Sequence, residues 1–420
     1  MILLKNARVI DGNGGEPKDS QAVLVDEGQI IAIGILESLD VPPDAEQIDL
    51  QGKTLLPGFI DCHVHILWNP DPTVKMPRPS QIPLRDKHYF KARSLLYGVK
   101  AAKATLEGGF TTIRDVAAPN DAAFALRDSL AAGEHPGPRL LSTGKCITHT
   151  GGHGTEMHSD MAIVADGSQK VFKAVRQQIV AGADAIKIMG GTRPALSPPF
   201  RGRQGYTTEE MLPGIEEAHR AGLKVAIHAH SSVEGIKNSI RAGADSIEHG
   251  FPLDEEAAEM MVEHGTYLCP TLAVNPAAIQ AIEQGFWTFP GSEDQIYRMV
   301  DFAKDAMALA KKAGVKIALG TDAAMPLVYH GDNAWEFELM VEHGLSPMEA
   351  VIAGTRNAAD NLGLLDEIGT IEAGKKADLV VVDGDPLDNI SVLRNSVLLV
   401  MKDGNVVKNR LPDLEVQYSA

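Results

Sequence analysis

Both ends of the chain alternate apolar and polar residues at the two-residue period of a strand, and the middle does not. MILLKNARVIDGNGG and QAVLVDEGQIIAIG at the start carry Asp-Gly and Glu-Gly turn signals between alternating runs, which predicts β-hairpins. The same texture returns near the end in KKADLVVVDGDP and SVLLVMKDGNVVKN. Between them, short β-branched runs alternate with longer amphipathic stretches. The runs are LLPGFIDCHVH, FTTIRDV, RLLSTG, DAIKIM, KVAIHAH, DSIEHG, YLCPTL and KIALGTD. Helical patterns such as SQKVFKAVRQQIVAGA and TTEEMLPGIEEAHRAG separate them, and in the second Thr207 with Glu210 predicts a capping box. Eight such alternations predict an α/β protein with a parallel (β/α)8 TIM barrel, a doubly wound open sheet being the alternative. The expected boundaries are 1–56 and 365–420 for a small β-rich module built from both termini, and 57–364 for the barrel.

Composition narrows the class. Hydrophobic residues make up 44% and charged residues 23%, as in ordinary globular proteins. With 39 Lys+Arg against 56 Asp+Glu the net charge is −17, which disfavours nucleic-acid and anionic-membrane partners. Cys62, Cys146 and Cys269 are odd in number and far apart, so a disulfide framework is not expected and a reducing, cytoplasmic setting is. The N-terminus does not read as a signal peptide, and no apolar run reaches the length of a membrane span. GGFTT and TGGHGTE match neither nucleotide fingerprint. A homo-oligomer is compatible with this size, but no coiled-coil repeat marks one.

The candidate chemistry lies at the strand ends. In DCHVH, His63 and His65 are two residues apart and so point to one side of a strand. Strand four carries Lys187 in an apolar run, strand five ends with His228 and His230, strand six with His249 and strand eight with Asp322. In a (β/α)8 barrel these ends share one rim. Each residue alone has an ordinary explanation, such as a hydrogen-bonded histidine or an N-cap aspartate. Together, imidazoles and a carboxylate suit Zn2+ with a position left open for water, although Mn2+ and Co2+ accept the same ligands. A lysine ammonium would be repelled by divalent cations, whereas a neutral amine reacts with CO2 to give a carbamate that can bridge two of them.

With PGFIDCHVH, ADAIKIM, VAIHAH, DSIEHG, GTDA and GTIEAGKKADLVVVD in place, the chain resembles the amidohydrolase superfamily over nearly its whole length. The last segment resembles that family's accessory β-sandwich. TGGHG at 150–154 resembles the imidazolonepropionase-related group that contains metal-dependent dipeptidases. Imidazolonepropionase itself is mononuclear and lacks the strand-four lysine, so Lys187 aligns the chain with the two-metal branch. The resemblance implies that His63, His65 and Asp322 hold the more buried metal and His228 and His249 the more exposed one. Lys187, as N6-carboxylysine, would bridge them. It implies Asp322 as the acid/base that takes a proton from the attacking water and delivers it to the leaving amine. His230 shares the strand face of His228 and would touch substrate or support the ligands. His153 is the candidate to stabilise the oxyanion, with His149 a weaker competitor.

The expected substrate is a small molecule, a dipeptide or N-acyl amino acid. After strand four, GGTRPALSPPFRGRQGY supplies Arg193, Arg201, Arg203 and Tyr206, which could bind a substrate carboxylate. Tyr329 and His330 follow strand eight as further candidates. The strand-four loop offers arginines and no acid before Glu209, which favours proline over a cationic leaving residue and makes an Xaa-Pro dipeptidase the leading expectation. Xaa-Arg/Lys dipeptides, N-acyl amino acids and cyclic amides of the imidazolone type are the alternatives. A non-catalytic barrel is a further reading, disfavoured because the ligand set is complete.

Overall fold

A computed structural model describes residues 1–73, 87–154, 160–191, 205–230, 232–286 and 293–411. Five strands lead: β1 (Ile2–Val9), β2 (Lys18–Asp26), β3 (Gln29–Ile35), β4 (Glu46–Asp49) and β5 (Thr54–Pro57). The central strands are β6 (Phe59–Val64), β7 (Phe110–Asp115), β8 (Arg139–Ser142), β9 (Cys146–Thr148), β10 (Ala162–Val164), β11 (Ala185–Met189), β12 (Lys224–Ala229), β13 (Ser246–His249) and β14 (Tyr267–Cys269). Three close the chain: β15 (Leu379–Val382), β16 (Val397–Lys402) and β17 (Asn405–Asn409).

The two ends form one sheet, in the order β17-β16-β15-β5-β1-β2-β3 with β4 beside β1. The β2–β3 turn places Glu27 and Gly28 at φ 46° and 83°, the left-handed pair a tight hairpin needs. Antiparallel pairing of β5 with β15 sets Leu56 against Val380 and Thr54 against Val382, so chain ends more than 300 residues apart are stitched together. Alternation then divides two cores. Leu379 and Val381 pack with Leu4, Val23, Leu55 and Leu399 inside the terminal module, while Val380 and Val382 join the large core under the central strands.

The central strands are parallel, in the orders β6-β7-β8 and β10-β9-β11-β12-β13-β14. The Asp184 amide donates to the Ser142 carbonyl at 2.9 Å and links the two groups. The eighth predicted strand, KIALGTD, is an extended segment between β14 and β6 rather than a regular ladder strand. Ala318 N–H donates to Leu268 O, Cys62 N–H to Leu319 O and Asp322 N–H to His63 O, at 2.9, 2.9 and 2.7 Å. Left-handed backbone at Asp322 (φ 57°) and Ala324 (φ 96°) interrupts the ladder there.

Helices follow the strands, among them Lys87–Glu107, Ser168–Ala181, Thr208–Arg220, Glu255–His264 and Glu293–Ala313. The expected capping box is present: Glu210 N–H donates to Thr207 Oγ1 at 3.3 Å and Thr207 N–H to Glu210 Oε2 at 3.0 Å. Among the described residues no helix is long and apolar enough to cross a membrane.

Candidate metal centre and active-site cavity

β6 is buried along its whole length and is locked to the eighth segment by one carboxylate. Asp61 Oδ2 accepts from Thr321 Oγ1 at 2.6 Å and Asn333 Nδ2 at 2.7 Å, and its Oδ1 accepts from the amides of His63 and Thr321. This fixes the strand end from which His63 and His65 project. Gly320 is required at the crossing, since a Cβ there would lie 2.3 Å from Cys269 Sγ and 2.8 Å from His63 Cβ.

The predicted rim residues converge. Asp322 Oδ1 lies 3.1 Å from His65 Nε2 and 3.5 Å from His63 Nε2, and ligating atoms of His63, His249 and Asp322 all fall within 4.8 Å of one another. The His228 ring sits 4.6 Å from that of His249, 4.4 Å from His230 and 4.6 Å from His153, on which it stacks. His249 and Asp322 are both non-glycine residues with positive φ, 70° and 57°, held by surrounding bonds; His249 Nδ1 contacts Thr271 Oγ1 at 2.6 Å. Lys187 is 1% exposed, and its Nζ has no hydrogen-bond partner among the described residues.

Behind this rim lies a charged layer that the strand patterns did not reveal. Glu248 accepts from His63 Nδ1 at 2.5 Å, from Ser246 Oγ at 2.5 Å and from Arg114 NH2 at 3.1 Å. Arg114 also donates from Nε to Cys62 O at 2.8 Å, and both Arg114 and Glu248 are fully buried. A carboxylate can only accept, so His63 carries its proton on Nδ1 and turns the Nε2 lone pair toward Asp322. Arg114 and Glu248 stand among other polar residues in FTTIRD and DSIEHG, so neither stood out as Lys187 does in its apolar run.

Burial governs the protonation states. It lowers His63 to about 4, with the nearby Lys187 acting in the same direction, and it holds His228 and His249 well below the ordinary imidazole value. Burial likewise lowers Lys187, with Arg114 adding to the effect and Glu248 opposing it. Burial alone would raise Asp322, but the imidazoles of His63, His65 and His249 keep it well below the usual carboxylate range. Neutral imidazoles, an ionised aspartate and a depressed amine are the protonation states of metal ligands. The unpartnered Lys187 Nζ and His228 Nε2 are buried polar atoms that a protein core does not leave unsatisfied without cause. The donor set fits divalent metal.

A cavity of about 140 Å³ opens over these groups. Its lining includes His153 and His230 beside the ligand set, and beyond them it is apolar, with Met161, Met189, Met299 and Met325 from different elements. The other predicted substrate residues lie elsewhere. The Tyr206 hydroxyl donates to Ala165 O at 2.5 Å from a fully buried ring, which packs edge-on against His149. His330 sits behind the rim with Nε2 3.2 Å from the His65 carbonyl, lowered to about 4 by burial, and Tyr329 is 42% exposed. None of these four lines the cavity. Arg193, Arg201 and Arg203 lie outside the described residues.

The pattern of the Amidohydrolase family matches residues 54–407. The chain is 30% identical over 434 residues to an ochratoxinase of Aspergillus niger, covering 94% of this chain and 84% of that protein. It is 26% identical to an imidazolonepropionase of Rhizobium rhizogenes, with 90% of each covered. The crystal structure of a Xaa-Pro dipeptidase with methionine in its active site superimposes with a TM-score of 0.85 at 32% identity, covering 97% of this chain and 100% of that one. These relatives are hydrolases of C–N bonds, and the chain belongs to the amidohydrolase family as a hydrolase of that class.

Proposed function

We propose that the chain is a binuclear hydrolase that cleaves an amide whose leaving half is an amino acid with a free carboxylate. The parallel strands are read as a (β/α)8 barrel over 57–364, carrying a β-sandwich module from 1–56 and 365–420. The observation that carries the proposal is Lys187, a buried amine facing the imidazoles and Asp322 and without a hydrogen-bond partner among the described residues. His63, His65 and Asp322 would hold one divalent cation, Zn2+ by preference, and His228 and His249 the other. Lys187 would join them as the carbamate: its neutral nitrogen adds to the carbon of CO2 and releases one proton. Such ions supply an activated water and a polarised carbonyl.

The remaining work falls to the chain. Asp322 accepts the proton of the water as its oxygen bonds to the carbonyl carbon, then passes it to the leaving nitrogen as the C–N bond breaks. His153 and His230, both lining the cavity around His228, are placed to donate to the developing oxyanion. The free, buried Cys62, Cys146 and Cys269 accord with a reducing, cytoplasmic setting. Likeness to a Xaa-Pro dipeptidase supports Xaa-Pro dipeptides as the first substrates to test. N-acyl amino acids are a second reading, favoured by the apolar lining of the cavity.

The test is free amino-acid release from dipeptides and N-acyl amino acids with varied C-terminal residues, before and after metal removal. Metal-dependent release from at least one series is expected, proline being the preferred leaving residue. No release from any compound by metal-loaded protein would overturn the proposal.

A further inference from the structure

A helix begins with amides that its own backbone leaves unbonded. The helices Thr208–Arg220 and Pro347–Ala353 take a partner from the residue just before them, Thr207 and Ser346. The helix Val274–Glu283, which follows β14, has Ala273 at that position, and a methyl group accepts nothing. The partner comes instead from a distant segment. Glu336 Oε1 accepts from the Leu272 amide at 2.6 Å and Oε2 from the Ala273 amide at 2.9 Å, across 64 and 63 residues of sequence. Glu336 is fully buried, so water does not compete for these bonds. Burial raises its carboxyl to about 8, with the two amides opposing. Ionised or protonated, it keeps two acceptor oxygens, which a glutamine does not.

This clamp holds a strained turn. Thr271, the residue before Leu272, is β-branched, buried, and at φ 50°. Its Oγ1 lies 2.6 Å from His249 Nδ1, and Val274 of the same turn lines the cavity. With Nδ1 taken, Nε2 is the nitrogen left to a metal. The turn's own bonds are long, 3.4 Å from Val274 N–H to Thr271 O and 3.3 Å from Asn275 N–H to Leu272 O. The shorter pair from Glu336 is the stronger restraint. The other end of the clamp is fixed. Phe337 packs edge-on against Phe59 in the core, and Arg394 binds both Asp332 and Glu338. From the same segment Asn333 donates to Asp61, the carboxylate that holds the strand end of His63 and His65. One short segment thus braces both sides of the rim.

We propose that Glu336 is a positioning residue: by holding the Leu272 and Ala273 amides it keeps Thr271 in the left-handed turn from which its hydroxyl orients the His249 ring. The effect on zinc rests on His249 being a metal ligand, as read above, whereas the restraint on the ring acts without metal.

Four variants of the full chain test this. They are Glu336→Gln, Thr271→Val (branch kept, hydroxyl lost), Thr271→Ser (hydroxyl kept) and the double variant Glu336→Gln/Thr271→Val. In zinc competition, one binding step should weaken about 10–100-fold in Glu336→Gln and in Thr271→Val. Thr271→Ser should stay within about threefold of the parent. The double variant should lose no more than about threefold beyond the weaker single variant, because both changes cut one path. In metal-free protein, 15N-histidine spectra read the ring directly, with His249 assigned by its loss in His249→Ala. The ring should carry its proton on Nδ1 in the parent and Thr271→Ser, and be a mixture of tautomers in Glu336→Gln and Thr271→Val. Losses that multiply in the double variant overturn the inference. So does a Glu336→Gln protein that is less stable in urea but unchanged in zinc affinity and ring signals. If the parent holds no zinc, the metal reading falls and the ring signals decide alone: a mixture in Glu336→Gln sustains the inference, and the parent tautomer overturns it.

Discussion

Glu248 is the residue whose removal the structure makes most consequential without touching substrate. Its two oxygens are divided between His63 Nδ1 on one side and Arg114 and Ser246 on the other. Truncation in Glu248→Ala leaves the Arg114 guanidinium fully buried without its counter-charge, and breaking a buried pair in this way costs about 3–5 kcal/mol. Glu248→Gln separates charge from shape. It keeps an acceptor for Arg114 but loses charge-assisted bonds worth about 1.5–3 kcal/mol each, part of which the neutral amide recovers. It also turns an N–H donor toward His63 when its acceptor faces Arg114. The ring must then accept at Nδ1 and carry its proton on Nε2, the atom that faces Asp322. Loss of such a supporting partner lowers metal affinity about 10–100-fold. Urea denaturation of the metal-free proteins measures the first effect, and zinc competition against a chromophoric chelator the second. Glu248→Ala within 1 kcal/mol of the parent, or Glu248→Gln with unchanged zinc affinity, would refute the reasoning.

Two further outcomes follow from the same groups. Asp322→Asn keeps the size of the side chain and removes its capacity to take a proton. Compared at equal metal content per chain, because Asp322 is also a candidate ligand, steady-state kcat should fall about 10²–10⁴-fold, and an unchanged kcat would remove Asp322 from the proton path. Burial raises the thiols of Cys62 and Cys146 to about 12, so they stay protonated in the folded chain well above pH 9. Their stabilising contribution is complete below the unfolded thiol value near 9 and fades as pH rises from there toward 12. Iodoacetamide at pH 8 should label them only after denaturant is added; labelling of the folded protein within minutes would contradict their placement.

What the chain disclosed in advance depended on where a residue's partners lie in sequence. His63 and His65 were legible because a two-residue spacing at a strand end needs no long-range knowledge. Lys187 stood out because an amine inside AIKIM has no local reason to be there. Thr207 and Glu210 formed their capping box for the same local reason. Glu248 and Arg114 sit among other polar residues in DSIEHG and FTTIRD, and their meaning lies in each other. They are 134 residues apart and meet through the interior of the central strands. Tyr206 was placed with the loop arginines as a substrate contact because they are neighbours in sequence. Its ring instead turns into the core, and its hydroxyl is taken by Ala165. The strand-eight pattern KIALGTD suggested a regular ladder, and the positive φ of Asp322 that breaks it leaves no mark in composition. The four methionines of the cavity come from four separate segments, so no local pattern could assemble them.

The central claim is that Lys187 and the rim around it form a two-metal centre. Metal content per chain, measured after loading with zinc and bicarbonate and removal of excess, tests it most directly. The account predicts two zinc ions per chain for the parent and one or fewer for Lys187→Ala, with a carbamate carbon signal from 13C-bicarbonate seen in the parent alone. Two zinc ions retained in Lys187→Ala, or no zinc held by the parent, would contradict it.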